Sequence, residues 1–210
     1  MNEALSFIHR FEPGTGADAR PLLLLHGTAG DENDLVPLGR VIAPNAPLLS
    51  PRGKVLENGM TRYFRRIEGG MFDEDDVRRR AVELVDFVAE ARGHYDLSSP
   101  VALGYSNGAN TAAAVLLLRP DALAGAILLR ATLPLKETVP VDLTGKPVLI
   151  ITGSSDPMIS PEGATRLAAR LEQYGAVVEH RTLPIGHELS QADVSLAKQW
   201  LRTNASSTAG

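Results

Sequence analysis

Short apolar runs alternate with helical patterns along most of the chain. The apolar runs predict strands at 6–11, 21–25, 46–50, 100–105, 123–130, 147–152 and 176–183. Between them, apolar residues at helical spacing predict helices at 34–43, 73–92, 107–118, 161–174 and 190–202. Apolar strands separated by helices are typical of a mostly parallel, twisted sheet that helices cover on both faces. The pattern therefore predicts an α/β fold with about seven strands in its sheet.

The pattern predicts one domain over residues 1–203, followed by a polar tail at 204–210. A chain of 210 residues is an ordinary length for a single domain, and no internal repeat is visible. The stretch 51–72 has no predicted helix or strand and is rich in Gly and Arg. Long irregular stretches inside compact domains are often functional loops. Because no large insertion separates the strands, we expect a minimal lid and an open pocket for small to medium substrates.

Composition excludes several classes of function. Hydrophobic residues make up 44% of the chain and charged residues 22%, which suits a packed core rather than disorder. The net charge of −4 argues against a nucleic-acid partner, which usually requires a basic surface. The absence of cysteine excludes disulfides, thiolate nucleophiles and iron–sulfur clusters. No apolar run is long enough to cross a membrane, and the first residues do not resemble a signal peptide, so we expect a cytoplasmic protein.

The most informative motif is Gly104-Tyr105-Ser106-Asn107-Gly108, a G-x-S-x-G sequence. It lies between the strand predicted at 100–105 and the helix predicted at 107–118, which is the context of a nucleophile elbow. In such an elbow a sharp turn lifts the serine oxygen above the sheet, beside the positive end of the helix dipole. A chance match in a Gly-rich chain is the competing explanation, and the flanking strand and helix weigh against it. Ser106 is therefore the predicted nucleophile.

A serine nucleophile on this scaffold needs an acid and then a histidine, in that chain order. His187 follows the strand at 176–183 in a loop at the carboxyl edge of the sheet, whereas His180 lies inside that strand and suits a structural role. Asp156 follows the strand at 147–152 in an Asp-Pro turn at the same edge. We therefore predict that His187 is the base and that Asp156 orients it. Other acids after the elbow are less suitably placed: Asp142, Glu162 and Glu188.

Acyl transfer also requires N–H donors for the oxyanion that develops in the transition state. One is expected from the backbone of Asn107, directly after the nucleophile, and the other from the loop that follows the strand at 21–25. In that loop we assign the second donor to Thr28, because Gly27 and Gly30 permit a tight backbone path around it. His26, which ends the strand, is expected to brace the loop through hydrogen bonds rather than to act in catalysis.

These motifs extend over nearly the whole chain, from Leu22 to Leu201. Together they resemble small α/β-hydrolases of the carboxylesterase/phospholipase family, which are related to acyl-protein thioesterases, and within it a bacterial branch linked to hydroquinone-stress esterases. The resemblance implies that Ser106, Asp156 and His187 are catalytic, with Thr28 and Asn107 as oxyanion donors. The segments that carry it are LLLLHGTAGDENDL (22–35), LSPRGKVLENGMTRYFRR (49–66), FDEDDV (72–77), ALGYSNGAN (102–110), GKPVLIITGSSDP (145–157) and GHEL (186–189).

The chain departs from the pattern of this family at three places. Ala29 and Ile185 stand where similar sequences commonly have glycine, and Arg130-Ala131-Thr132 is an unusual sequence after its strand. These departures bear on the shape of the pocket and leave the three predicted catalytic residues unchanged.

The segment 51–72 permits two interpretations. Its polar and aromatic side chains can line the acyl or alcohol pocket, as loops of this family tend to do. Alternatively, its arginines can brace the loop against the acidic segment 73–76, and we favour bracing. The residues concerned are Arg52, Asn58, Arg62 and Phe64.

We therefore expect a serine carboxylesterase that cleaves small to medium carboxylic esters through an acyl-enzyme, without a metal or an organic cofactor. Its partner would be a small-molecule ester, and a homodimer is possible from the general frequency of homodimers. A thioesterase or lysophospholipase with the same catalytic residues is the first alternative, because a serine triad can attack any of these acyl carbons. A non-catalytic ligand-binding protein on a hydrolase fold is the second, and the presence of all three catalytic candidates weighs against it.

Overall fold

The computed structural model describes residues 5–16, 19–68 and 71–204. The strands are β1 (His9–Glu12), β2 (Leu22–Leu25), β3 (Leu48–Pro51), β4 (Val55–Glu57), β5 (Met60–Arg62), β6 (Val101–Tyr105), β7 (Gly125–Leu129), β8 (Pro147–Gly153) and β9 (Val177–Leu183). The helices are α1 (Val36–Ile42), α2 (Glu74–Tyr95), α3 (Asn107–Leu118), α4 (Pro161–Gln173) and α5 (Gln191–Asn204), with a short 3-10 turn at Pro120–Ala122.

Seven of the strands form one sheet in the order β1-β3-β2-β6-β7-β8-β9. The pairing of β1 with β3 is antiparallel, and the other neighbours in the sheet are parallel. The predicted α/β-hydrolase architecture, a mostly parallel sheet of seven strands, is therefore confirmed. Its parallel strands direct their carboxyl ends toward one edge of the sheet, which is where folds of this class place their sites.

Apolar side chains cover both faces of the sheet. In β2, Leu23 and Leu25 belong to one buried cluster, while Leu22 and Leu24 belong to the other. The first cluster includes apolar residues of α2, α3 and α4, and the second includes residues of α1 and α5. The continuous run of leucines in β2 therefore reflects burial on both faces, because successive side chains of a strand point to opposite sides.

Helix α2 shows how local sequence sets the end of an element. Asp73 is its N-cap and accepts a hydrogen bond from the backbone N–H of Asp76. The acidic residues that follow lie in the first turn, where the helix dipole favours negative charge. The closing helix α5 continues to Asn204, which we had predicted to begin the tail, and residues 205–210 lie outside the described residues. No helix in the described chain has both the length and the apolar character needed to cross a membrane.

The segment 51–72, expected to be irregular, contains a two-stranded hairpin of β4 and β5 that lies apart from the main sheet. Asn58 and Gly59 form its turn, and both have positive φ, at 51° and 78°. Asn-Gly is the most favoured dipeptide for such a two-residue turn. The Asn-Gly pair is therefore a local signal for a hairpin, and the prediction that 51–72 is wholly irregular was wrong at these residues.

Two glycines with open space around them test the balance between backbone strain and backbone entropy. We expect Gly93→Ala, inside α2, to raise the free energy of unfolding by about 0.5–1 kcal/mol, because no atom obstructs the new methyl group. We expect Gly59→Ala, equally open but at φ +78°, to lower it by about 1 kcal/mol. Urea denaturation of the two matched variants measures both changes. Equal shifts of the same sign would contradict the assigned backbone conformations.

Candidate active site

The three predicted catalytic residues meet at the carboxyl edge of the sheet. Ser106 follows β6, Asp156 lies in the loop after β8, and His187 lies in the loop after β9. The Nε2 atom of His187 is 2.9 Å from Ser106 Oγ. The Nδ1 atom of the same ring is 2.8 Å from Asp156 Oδ2. One imidazole therefore bridges a hydroxyl and a carboxylate in the order that general-base activation of a serine requires.

The backbone at Ser106 is strained, with φ 52° and ψ −111°. Both glycines of the motif are required by close packing around this turn. A Cβ on Gly104 would lie 2.7 Å from the backbone of Ala109 in α3, and one on Gly108 would lie 2.0 Å from the carbonyl oxygen of Leu25 in β2. Side chains at either position would push the helix away from the sheet. The motif therefore allows α3 to begin directly against the end of β2, with the serine at the corner.

The carboxylate of Asp156 is buried, and both of its oxygens are hydrogen-bonded. Its Oδ1 atom accepts hydrogen bonds from the backbone N–H groups of Met158 and Ile159, at 2.8 and 3.0 Å. Burial raises the pKa of Asp156, but the hydrogen bonds from the His187 ring and from these two N–H groups outweigh burial and leave the pKa below its usual value. The group therefore stays ionised, which favours the tautomer of His187 that carries its proton on Nδ1 and leaves Nε2 free to accept the serine proton.

The loops that hold the acid and the base pack tightly against each other. A Cβ at Gly153, the last residue of β8, would lie 2.2 Å from the carbonyl oxygen of Gly186. The backbone N–H of Ser155 donates to the carbonyl of Ile185 at 3.0 Å. These contacts fix the distance between the loop that carries Asp156 and the loop that carries His187. Glu188, an alternative acid in the sequence, instead accepts a hydrogen bond from the backbone of Gly186.

Thr28 and Asn107, the predicted oxyanion donors, lie in two segments that the packing of Gly108 brings together. Among the described residues, neither backbone N–H donates a hydrogen bond to another group. The loop around Thr28 is held from the hairpin: the N–H of Ala29 donates to Thr61 O at 2.9 Å, and Arg62 Nη1 donates to Thr28 Oγ1 at 3.0 Å. Ala29 has φ 70°, a conformation that glycine adopts without strain and that disfavours a residue with a Cβ.

His26 connects the loop after β2 to the segment after β3. Its Nε2 atom accepts a hydrogen bond from the backbone N–H of Gly53 at 3.0 Å, so the neutral ring carries its proton on Nδ1 and donates to Gly27 O at 2.7 Å. Burial lowers the pKa of His26, in keeping with a neutral ring. His26 is thus placed to brace the loop, as expected from the sequence.

The four pocket candidates from 51–72 lie in different settings. Arg52 forms a two-fold hydrogen-bonded ion pair with Glu32, and Asn58 lies in the hairpin turn. The guanidinium of Arg62 is buried against Thr28 Oγ1 and the carbonyl of Phe64, at 3.0 and 3.2 Å. Phe64 itself is only 1% exposed and belongs to the main core cluster. Arg52 and Arg62 contact the protein's own loops, which fits bracing better than lining.

Bracing against the acidic segment 73–76 also occurs, but through another arginine. Arg65 Nη2 lies 3.0 Å from Asp73 Oδ2, and its backbone N–H donates to Asp76 Oδ2 at 2.8 Å. Arg66 instead pairs with Glu57 in β4. The hairpin therefore contacts the loop of Thr28 through β5, and the segment that follows β5 contacts the start of α2 through Arg65.

Three further side chains hold the site together and were not singled out from the sequence as positioning groups. The hydroxyl of Tyr105 donates to the carbonyl of His187 at 3.0 Å. Asn107 Oδ1 accepts from the backbone of Tyr63, and Asn110 Oδ1 accepts from the backbone of Thr132, both at 2.8 Å. Polar residues inside and beside the elbow motif were the available signal, since side chains buried at such a corner must find hydrogen-bond partners.

In chemical terms the edge holds a serine hydroxyl, an imidazole whose Nε2 faces that hydroxyl, an ionised carboxylate and two backbone N–H groups. Such a set supports attack on an acyl carbon and stabilisation of the oxyanion that results. Among the described residues, no group of three or more His, Asp or Glu side chains is placed to hold a metal ion.

Comparison with known proteins finds similar chains over nearly the full length of the sequence. The profile of the phospholipase/carboxylesterase family matches residues 12–205. The chain is 42% identical to the protein MhqD of Bacillus subtilis over 196 residues, which are 92% of this chain and 97% of MhqD. A carboxylesterase crystal structure from Bacillus cereus superposes with a TM-score of 0.92 at 41% identity, with 95% of each chain covered.

A second solved structure, a carboxylesterase from Mesorhizobium loti, superposes with a TM-score of 0.89 at 34% identity and covers 94% of this chain and 95% of its own. These matches extend over nearly the full length of each partner, and the resemblance stated from the sequence is confirmed. The chain belongs to the phospholipase/carboxylesterase family and is a carboxylic ester hydrolase with the α/β-hydrolase fold.

Proposed function

We propose that this hydrolase is a serine esterase that cleaves small to medium carboxylic esters with Ser106, His187 and Asp156 as its catalytic residues. The observation that carries the proposal is the continuous hydrogen-bonded chain from Ser106 Oγ through the His187 ring to Asp156, at 2.9 and 2.8 Å. A serine in a strained corner, beside a base that a buried carboxylate orients, is the arrangement that nucleophilic acyl transfer requires.

The reaction has two steps, acylation of Ser106 and hydrolysis of the acyl-enzyme. His187 Nε2 takes the proton of Ser106 as its oxygen attacks the ester carbonyl, and the backbone N–H groups of Thr28 and Asn107 bind the oxyanion. The imidazolium then gives its proton to the departing alcohol, which leaves an ester between Ser106 and the acyl group. Water, deprotonated by His187, attacks this acyl-enzyme. The bond between the acyl carbon and Ser106 Oγ then breaks, the imidazolium returns its proton to Oγ, and the carboxylic acid is released. Asp156 stabilises the imidazolium in both steps without taking its proton.

The lack of a large insertion between β3 and β6 in the described chain supports the preference for small to medium esters. Between β3 and β6 the described chain adds only the hairpin and α2, and α2 packs into the core rather than over Ser106. The ring of His187 remains 17% exposed at the sheet edge. A thioester or a lysophospholipid presents the same kind of acyl carbon, so these substrates belong in the panel that tests the proposal. The homodimer and the cytoplasmic location remain predictions from the sequence.

Replacing Ser106 tests the nucleophile. We expect Ser106→Ala to lower ester hydrolysis by on the order of 10⁶-fold relative to wild type, because no acyl-enzyme can form. Turnover of p-nitrophenyl acetate and butyrate, measured beside the corresponding thioesters, gives the rates. Ser195→Ala is the matched control, since this exposed serine of α5 bonds only to a carbonyl of its own helix, and it should keep wild-type activity. Hydrolysis by Ser106→Ala at the wild-type rate would contradict the assignment.

Asp156 must stay ionised to orient the His187 ring. Hydrogen bonds hold the pKa of its carboxyl below the usual value, so loss of this charge should lower kcat/KM only at a pH below that value. We expect Asp156→Asn to fold but to lose on the order of 10⁴-fold in kcat, because an amide cannot stabilise the imidazolium. Rates of p-nitrophenyl acetate hydrolysis measure the loss, and circular dichroism checks the fold. An Asn variant within tenfold of wild type would contradict this role.

A further inference from the structure

Arg130 is a fully buried arginine at the carboxyl edge of the sheet. It follows β7 directly, and its side chain is 0% exposed. Its backbone has φ 60°, a left-handed conformation that disfavours a residue with a Cβ. A charged side chain in a strained backbone position, out of contact with water, persists only where other interactions compensate for both. Those interactions identify what the residue does.

All five N–H donors of the Arg130 guanidinium have acceptors. Two donate to the carboxylate of Asp193, at 2.8 and 3.1 Å, in the two-pronged geometry that arginine favours. One donates to the carbonyl of Ile151 in β8, at 3.3 Å. The remaining two donate to the carbonyls of Gly186 and Glu188, at 3.1 and 2.7 Å. Arg130 therefore links two strands of the sheet to the loop between β9 and α5.

The two loop carbonyls that Arg130 binds flank His187 on either side. The carbonyl of His187 itself accepts a hydrogen bond from the hydroxyl of Tyr105, at 3.0 Å. Three consecutive carbonyls of this loop are thus held by side chains that project from the ends of β6 and β7. These three hydrogen bonds fix the backbone of a loop that has no regular secondary structure of its own.

Asp193 fixes the far end of the same loop. Its Oδ2 atom accepts from both the backbone N–H and the hydroxyl of Ser190, at 2.7 and 2.8 Å, just before α5 begins. The carboxylate is 2% exposed, so the ion pair with Arg130 is buried. Buried ion pairs contribute little to stability compared with apolar side chains of similar volume, and their best-supported benefit is a specific arrangement of the chain. Here the arrangement that they specify is the path of residues 186–190.

We infer that Arg130, with Asp193 as its partner, is a positioning residue that holds His187 within hydrogen-bond reach of Ser106. The inference rests on the proposed function, since it concerns the base of that reaction. Arg130 acts through the backbone on either side of the imidazole and makes no contact with the reacting atoms. A base displaced by about 1 Å loses on the order of 100-fold in rate, so the loop path directly affects catalysis.

The double variant Arg130→Met/Asp193→Leu tests this role. It removes both charges together, so no unpaired charge remains buried and the chain is expected to fold. Arg130→Lys is the second variant, because it keeps the charge but offers only three donors without the planar fork. The matched control is Arg40→Met/Glu12→Leu, which removes an ion pair whose arginine also binds a backbone carbonyl, that of Ala46, at a distance from the site.

Circular dichroism gives the folded fraction of each variant. Labelling with a fluorophosphonate gives both the number of reactive serines at completion and the rate at which they react. The third measurement is the rate of hydrolysis of p-nitrophenyl acetate and of an alkyl acetate. The alcohol of the alkyl ester needs a proton from His187 to leave, whereas p-nitrophenolate leaves without one.

We expect the double variant and Arg130→Lys to reach full labelling but to react about 10- to 100-fold more slowly per folded molecule. The alkyl ester should lose more rate than the nitrophenyl ester, and the control should match wild type. Unchanged rates per labelled serine, with only thermal stability altered, would make the pair merely structural and overturn the inference. A folded wild-type protein that neither labels nor hydrolyses either ester would instead refute the proposed function.

Discussion

The arrangement of this sheet edge depends on one imidazole that hydrogen-bonds to a hydroxyl on one side and to a carboxylate on the other. The hydrogen bond between His187 and Ser106 joins residues 81 positions apart in the chain, and the bond to Asp156 joins residues 31 apart. The serine sits on a corner between a buried strand and a buried helix. Asp156 and His187 lie on loops, so these loops must be held as firmly as the corner. Much of the local structure serves that requirement.

Backbone strain is concentrated where these groups meet. Among the described residues, positive φ at a residue other than glycine occurs at Ala29, Asn58, Asp96, Ser106 and Arg130. Asn58 and Asp96 are of the types that tolerate this conformation, and they form a hairpin turn and a helix end. The other three lie after β2, β6 and β7 at the carboxyl edge. Strained positions of this kind persist where packing and hydrogen bonds overdetermine them, and they cluster at functional sites.

The sequence predicts the scaffold and the main chemistry well, because both leave local signals. Continuous apolar runs mark strands buried on two faces, as in β2, and the glycines around Ser106 mark a corner that no larger residue fits. The expected chain order of serine, acid and histidine then points to the loops of Asp156 and His187. In the structure these two side chains and Ser106 lie within hydrogen-bond distance. The Asn58-Gly59 turn was also a local signal, although the length of the surrounding stretch obscured it.

The supporting interactions leave weaker signals. Arg130 looks unusual after its strand, but nothing near it in the sequence indicates that it binds Asp193, 63 residues later. The roles of Tyr105 and Arg62 likewise depend on loops that only the folded chain brings beside them. Such long-range hydrogen bonds satisfy buried polar groups one by one, without any periodic pattern. Side chains that hold a loop through its backbone are therefore recognised only in the folded chain.

We propose that Ser106 is the activated nucleophile of this hydrolase, and the roles of His187 and Asp156 depend on it. Reaction of the folded protein with diisopropyl fluorophosphate, followed by proteolysis and tandem mass spectrometry, tests it most directly. The tryptic peptide that contains Ser106 also contains Ser98 and Ser99, so its fragment spectrum must show which of the three serines carries the adduct. We expect one diisopropylphosphoryl group per chain, on Ser106. An adduct on another residue, or none on a folded protein, would contradict it.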